Sequence, residues 1–154
     1  MSKLKKLLKK GNYTAIPLRL TATDHLEIKA KINGIKGVFI LDTGASNTCV
    51  GFDKLDHFKL VSKTSDIKAA GAGATDMETL ISSNNTIKIG DWNIKKLKIV
   101  LFDLTHVNEA LIAHKVAPVD GIIGADVLKQ TKAIIDYNAK EVHLKLKKKK
   151  KKPK

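Results

Sequence analysis

Hydrophobic and polar residues alternate along several short stretches of the chain. Segments 13–21 and 25–33 show the every-second-residue pattern of half-buried β-strands. Asn33-Gly34 favours a tight hairpin turn, and an apolar run follows it at 38–41. Further strands are predicted at 48–50, in two arms within 66–81, at 85–90, at 92–102 and on both sides of 137–140.

Helical patterns are few and short. A helical turn is predicted within 51–58, and brief helices are predicted at 106–114 and near 125–131. We find no internal repeat and no linker that would divide the 154 residues. Short strands at close spacing, with only one or two brief helices, predict a single compact all-β barrel or sandwich.

The net charge of +14 is concentrated at the two ends of the chain. Between residues 11 and 142 there are 16 Lys plus Arg against 15 Asp plus Glu, so the body is nearly neutral. We therefore predict a basic N-terminal segment at 1–12, a folded domain at 13–146 and a Lys-rich tail at 147–154. Self-repelling lysines favour solvated ends, with one or two helical turns allowed in the LKKLLKK stretch. Weak binding to an anionic partner, either nucleic acid or a membrane surface, stays open as an alternative.

No stretch has the roughly 18 consecutive apolar residues of a transmembrane helix, and the N-terminus lacks the pattern of a signal peptide. The single cysteine, Cys49, excludes an internal disulfide and fits a reducing compartment. A cytoplasmic location is therefore expected. The five histidines are scattered without ligand spacing, so we expect neither a metal nor another cofactor.

The apolar run 38–41 ends in Asp42, followed by Thr43 and Gly44. A carboxylate that a core strand delivers into a turn must be paired, hydrogen-bonded or protonated, because an isolated buried charge is costly. Asp42 is therefore a candidate active-site acid. Hydrolysis of an amide by carboxylates needs one acid and one base, and two carboxyls about 3 Å apart supply both by sharing a proton. The chain has only one Asp-Thr-Gly, and Asp120 and Asp126 are expected to be turn and helix-cap residues.

Three features together resemble the retropepsin-like aspartic proteases, in particular their small bacterial members. They are the apolar strand leading into Asp-Thr-Gly-Ala-Ser, a Gly-tipped hairpin further along, and Ile122-Ile123-Gly124. The resemblance covers residues 13–146 and implies a closed barrel with a flap hairpin at 66–80. One departure is Ala125, which stands where the retroviral enzymes usually have arginine. The flap also lacks the aromatic residue of the two-lobed enzymes.

The resemblance implies a role for each matching residue. Asp42 is the expected catalytic residue, supported by Thr43 and Gly44. The residues expected to bind substrate are Gly44, Ala45, Ser46, Ala70, Gly71, Ala72, Gly73 and Ile123. The implied function is that of an aspartic endopeptidase, in which a homodimer brings two copies of Asp42 together over an extended peptide or protein substrate. A non-catalytic peptide-binding or dimerisation module, and a protein that binds anions through its tails, stay open as alternatives.

Overall fold

A computed structural model describes residues 2–64 and 78–148 of the protein. Its larger sheet has eight strands, which are β2 Arg19–Leu20, β3 Leu26–Ile32, β4 Ile35–Leu41, β5 Cys49–Gly51, β6 Ser62–Thr64, β7 Leu80–Ile89, β8 Trp92–Phe102 and β9 Gly121–Ile123. Their order across the sheet is β2-β3-β4-β9-β5-β8-β7-β6. An additional pairing between β3 and β7 closes six of these strands into a barrel. The predicted single-domain all-β barrel is confirmed.

A second sheet holds the residues near both ends of the chain. It contains β1 Tyr13–Pro17, β10 Ile134–Asp136 and β11 Glu141–Lys145, in the order β1-β11-β10. Both pairings are antiparallel. The closing hairpin predicted around 137–140 therefore corresponds to β10 and β11.

Three α-helices lie within the described residues. They are α1 Lys3–Lys10, α2 Thr105–Ala113 and α3 Ala125–Gln130, and a 3-10 turn spans Phe52–Lys54. Helices α2 and α3 lie where the sequence predicts them. Helix α1 begins after Ser2, whose hydroxyl accepts a hydrogen bond from the backbone N–H of Lys5 at 3.1 Å, as an N-cap residue does.

The hairpin of β3 and β4 shows why the sequence folds as it does here. Apolar residues of β3 alternate with exposed ones along the strand. Asn33 and Gly34 form the turn with φ of 50° and 82°, the left-handed conformation that a two-residue hairpin of this kind requires. This turn sets the register that places Phe39 opposite Ile28.

Strand β4 is covered on both of its faces. Phe39 and Leu41 belong to the main core inside the barrel. Ile40 belongs to a second cluster, with Val38 packed against it, which includes Leu111 of α2. Burial on both faces explains why residues 38–41 form a continuous apolar run instead of an alternating one.

The predicted flap falls mostly on residues that the structure does not describe. Strands β6 and β7 pair antiparallel, with Ser62 opposite Ser82 and Thr64 opposite Leu80. Ala70, Gly71, Ala72 and Gly73, the predicted flap residues, lie outside the described residues.

Candidate active site

Asp42 is held at the end of β4 by its main chain. Strands β4 and β9 run parallel, with Leu41 opposite Ile123. The backbone N–H of Asp42 donates to the carbonyl oxygen of Ile123 at 3.0 Å, which extends this ladder by one residue. The barrel therefore fixes the position from which the half-buried carboxyl group projects.

The turn after Asp42 is open on its outer side. Thr43, Gly44 and Ser46 are exposed, and Ala45 is half-buried against the second core cluster. The backbone N–H of Gly44 donates to Oδ1 of Asp42 at 2.8 Å. Among the described residues, a Cβ built on Gly44 would meet only that Oδ1, at 3.2 Å. A ligand can therefore approach the main chain of the turn beside the carboxylate.

The inner side of the turn is tied to the start of α3 through Thr48, whose side chain is fully buried. The Thr48 hydroxyl donates to Oδ1 of Asp126 at 2.8 Å and accepts from the backbone N–H of Gly124 at 3.2 Å. Oδ2 of Asp126 accepts from the backbone N–H of Thr48 at 2.9 Å. The Ala125 N–H also donates to the carbonyl oxygen of Ala45 at 2.7 Å. Thr48 and Asp126 thus form a partly buried support that the sequence did not predict.

Gly124 allows this close approach. A Cβ at this position would lie 2.6 Å from the carbonyl oxygen of Ala45 and 2.8 Å from that of Asn47. The residue before it, Ile123, was expected to contact substrate. Its side chain is fully buried in the barrel core, so it packs behind the turn and does not reach the outer surface.

The other two carboxylates considered from the sequence are engaged in structural contacts. Asp126 binds Thr48 and also accepts from the backbone N–H of Val127 at 2.8 Å. Asp120 accepts from the backbone N–H of Val38 at 2.9 Å through Oδ2, and its Oδ1 lies 3.6 Å from Nζ of Lys54. Neither one supplies a second acid beside Asp42.

Cys49 lies on the inner side of the same turn. Its thiol donates to the carbonyl oxygen of Asn47 at 3.0 Å. Burial raises the pKa of the Cys49 thiol to about 12, with further contributions from the charges of Asp126 and Asp42. A thiol with so high a pKa is not a nucleophile at neutral pH, which agrees with the place of Cys49 in the second core cluster.

The described residues contain no cluster of three or more His, Cys, Asp or Glu side chains that could hold a metal ion. Within the same part of the chain, no helix has the length and apolar character needed to span a membrane.

Comparison with known proteins identifies the family. The family model for aspartyl proteases matches residues 28–127, a range that contains the Asp42 turn, β9 and the start of α3. No curated protein matches the chain in sequence.

Solved structures similar to the chain include two proteases. One is a retropepsin-like aspartic protease from Rickettsia conorii, with a TM-score of 0.56 and 18% identity over 86% of this chain and 91% of that one. The other is the EIAV protease in complex with the inhibitor HBY-793, with a TM-score of 0.55 and 21% identity over 77% of this chain and 98% of that one. These similarities establish a retropepsin-like fold. Because the family match spans well over half of the sequence, the chain belongs to the aspartyl protease family and is an aspartic-type endopeptidase.

Proposed function

We propose that the protein cleaves peptide bonds as a homodimer whose active site contains two copies of Asp42. The observation that carries this proposal is the isolation of the Asp42 carboxylate. Among the described residues, its hydrogen-bond partner is the Gly44 N–H of its own turn. Asp120 and Asp126 are engaged elsewhere, and a second copy of Asp42 from an identical chain would supply the missing carboxylate.

A two-fold axis passing beside the Asp42 turn would supply that carboxylate. In a symmetric dimer each residue near the axis meets its own copy, so the exposed turn of one subunit would face the same turn of the other. Thr43 and Gly44 are exposed here, which leaves the surface around the carboxylate free for a partner. Thr43 is the residue proposed to contact the partner's turn.

The chemistry follows from placing two carboxyls close together. Repulsion between two negative charges opposes ionisation of both, so over the working pH range one holds a proton while the other is charged. The charged carboxylate accepts a proton from water as the water attacks the peptide carbonyl carbon, and the protonated one donates to the carbonyl oxygen. Protonation of the leaving amine and breakage of the C–N bond complete the hydrolysis.

An extended peptide is the proposed substrate. Its main chain would pass over Gly44, where the open space allows close approach. Ala45 and Ser46 would border the substrate on the same turn. Residues Ala70 to Gly73 are proposed to close over the peptide from the flap.

The decisive test uses Asp42→Asn in the full chain. We expect peptide cleavage to fall by a factor of about 1,000 or more, because the pair loses its ionisable group while the turn keeps its shape. The matched control is Asp91→Asn in the exposed Gly90-Asp91 hairpin turn, which should keep full activity.

Mixing the wild type with Asp42→Asn tests whether the site is shared. Suppose that subunits exchange freely and that nine tenths of them carry Asn. About 1% of the dimers then retain two Asp42 residues, so a shared site predicts about 1% of the wild-type activity. Independent subunits would instead retain about 10% of that activity. Residual activity near 10% would contradict the shared dyad and leave the family assignment intact.

Activity of the wild type should also fall at high pH, because ionisation of both carboxyls removes the acid.

A further inference from the structure

The two lysine-rich ends of the chain meet on one side of the protein. The backbone N–H of Leu146 donates to the carbonyl oxygen of Asn12 at 2.9 Å, and the Asn12 side-chain amide donates back to the carbonyl oxygen of Leu146 at 3.1 Å. Strands β1 and β11 pair with Tyr13 opposite Lys145. The lysine run that begins at Lys147 therefore leaves the fold beside the C-terminal end of α1.

The charge at this place is largely uncompensated. Residues 2–23 and 142–154 contain no aspartate or glutamate. Lys5 of α1 binds Glu141 at 2.9 Å. Within the described part of the chain, the other lysines of α1 form no ion pair, and Lys147 and Lys148 are exposed. The two ends together thus present a strongly positive surface.

Helix α1 adds exposed apolar side chains to this surface. Leu8 is buried against the body of the protein, whereas Leu4 is 40% exposed and Leu7 is 66% exposed. Leu4 and Leu7 lie three residues apart and are neighbours on the helix surface. A helix turns by about 100° per residue, so Lys3 and Lys10 project within about 60° of Leu7. Two exposed leucines are therefore bordered by lysines.

We propose that this surface docks on an anionic membrane. Its described residues are Leu4, Leu7, the exposed lysines of α1, Lys147 and Lys148, and we call it the terminal basic surface. Lysine ammonium groups would contact anionic lipid headgroups while their long stems cover apolar surface. Leu4 and Leu7 would enter the boundary of the acyl chains. One short helix binds membranes weakly, and the adjacent lysine run is the second signal that stable attachment needs.

The exposed leucines favour a membrane over a nucleic acid. Single-stranded nucleic acids are held by basic grooves together with aromatic side chains that stack on the bases. The aromatic residue beside these ends, Tyr13, is engaged within the fold. Its ring faces Nζ of Lys145 at 5.7 Å and its hydroxyl donates to the carbonyl oxygen of Lys132 at 3.0 Å. Leucine side chains gain nothing from a phosphate backbone, but they do gain from leaving water.

Co-sedimentation of the full chain with phosphatidylcholine vesicles, with and without phosphatidylserine, tests the proposal. We expect salt-sensitive binding only when phosphatidylserine is present. The double variant Leu4→Ala/Leu7→Ala keeps helix propensity and should bind about tenfold more weakly or worse. Its control is Ile112→Ala, which removes a 57% exposed apolar side chain from α2 and should bind as the wild type does.

A second pair of variants separates local charge from total charge. Lys9→Glu/Lys10→Glu in α1 should weaken vesicle binding by at least about fivefold per residue. Lys95→Glu/Lys98→Glu changes the net charge equally at exposed positions of β8 and should have a much smaller effect. Circular dichroism checks that each variant is folded.

Three results would overturn the proposal. The first is no binding to phosphatidylserine vesicles, and the second is vesicle binding that the leucine variant leaves unchanged. The third is binding to a single-stranded oligonucleotide that is tighter than binding to vesicles and that the leucine variant leaves unchanged. This third result would assign the surface to nucleic acid instead. None of these readouts depends on peptide cleavage.

Discussion

The outer and inner sides of the Asp42 turn differ sharply in their packing. On the outer side, Thr43 and Gly44 are exposed, and the carboxylate accepts a hydrogen bond from its own turn. On the inner side, Thr48 is fully buried and its backbone N–H and hydroxyl both bind Asp126. The backbone of Gly124 lies so close to the turn that a Cβ would collide with it.

This difference gives the two sides of the turn different tasks: the inner side positions Asp42, and the outer side leaves its carboxylate free to react. A reactive group needs a fixed location, but its reacting face must stay free of competing partners. The inner side supplies the location through the barrel and α3, while the outer side leaves the carboxylate available to substrate and to a second subunit. Substitutions on the inner side should therefore disturb folding and activity together, and those on the outer side should spare folding.

The sharpest comparison is Gly124→Ala against Gly44→Ala. At Gly124 the added methyl would lie 2.6 Å and 2.8 Å from two backbone oxygens, so the turn or α3 must move. We expect a loss of about 3 kcal/mol in the free energy of unfolding and at least a hundredfold loss in kcat/KM. At Gly44, among the described residues, the methyl meets only the Asp42 carboxylate, and the free energy of unfolding should change by less than about 1 kcal/mol.

Urea denaturation at one fixed protein concentration measures both variants, which matters if the folded state is a dimer. Equal destabilisation by the two substitutions would contradict the assignment of the inner side as the rigid one. Normal kcat/KM in Gly124→Ala would show that the close approach of α3 is not needed for catalysis.

The sequence predicted the outer side of the turn far better than the inner side. Asp42 is conspicuous because a charge ends a four-residue apolar run, and the run is continuous because β4 is buried on both faces. No such feature of the sequence singles out Thr48, because a threonine beside a short strand is common. Its partner Asp126 is 78 residues away, and the pairing of β9 with both β4 and β5 brings the two together.

The N-terminal segment illustrates a second limit of sequence reasoning. A lysine-rich stretch predicts a solvated end, and most side chains of α1 are indeed exposed. Leu8 is nevertheless buried, and Lys5 binds Glu141 across 136 positions of sequence. Local composition contains no information about such a distant contact, so the packing of α1 could be found only in the structure.

Thr48→Val tests the inner side more gently. Valine has nearly the same shape, but it removes the hydroxyl that binds Asp126 and Gly124 and leaves the buried Gly124 N–H without this partner. We expect a loss of about 2 kcal/mol in the free energy of unfolding and a drop of about tenfold in kcat.

Thr48→Ser is the matched control because it keeps the hydroxyl and removes only a methyl group. It should cost about 1 kcal/mol of stability and leave kcat near that of the wild type. If kcat instead falls in Thr48→Ser and stays normal in Thr48→Val, packing of the methyl group and not the hydrogen bonds supports the turn.

The effect expected from Cys49 is absent near neutral pH and appears only in alkaline solution. The pKa of its thiol is about 12 in the folded protein because the side chain is buried near Asp126 and Asp42, whereas the pKa of an exposed thiol is near 9. The folded state thus keeps the proton at a pH where the unfolded state has lost it. The resulting stabilisation is fully present below about pH 9 and is lost as the pH rises toward 12.

Cys49→Ala isolates this contribution, because lysines and tyrosines titrate in both proteins and cancel in the difference. We expect the difference in unfolding free energy between wild type and Cys49→Ala to be constant from pH 6 to about pH 8.5. Above that range the wild type should lose stability relative to the variant, by at most about 1.4 kcal/mol per pH unit. A difference that stays flat to pH 10.5 would mean that the thiolate is tolerated, and that the inner side of the turn is more open to water than its packing indicates.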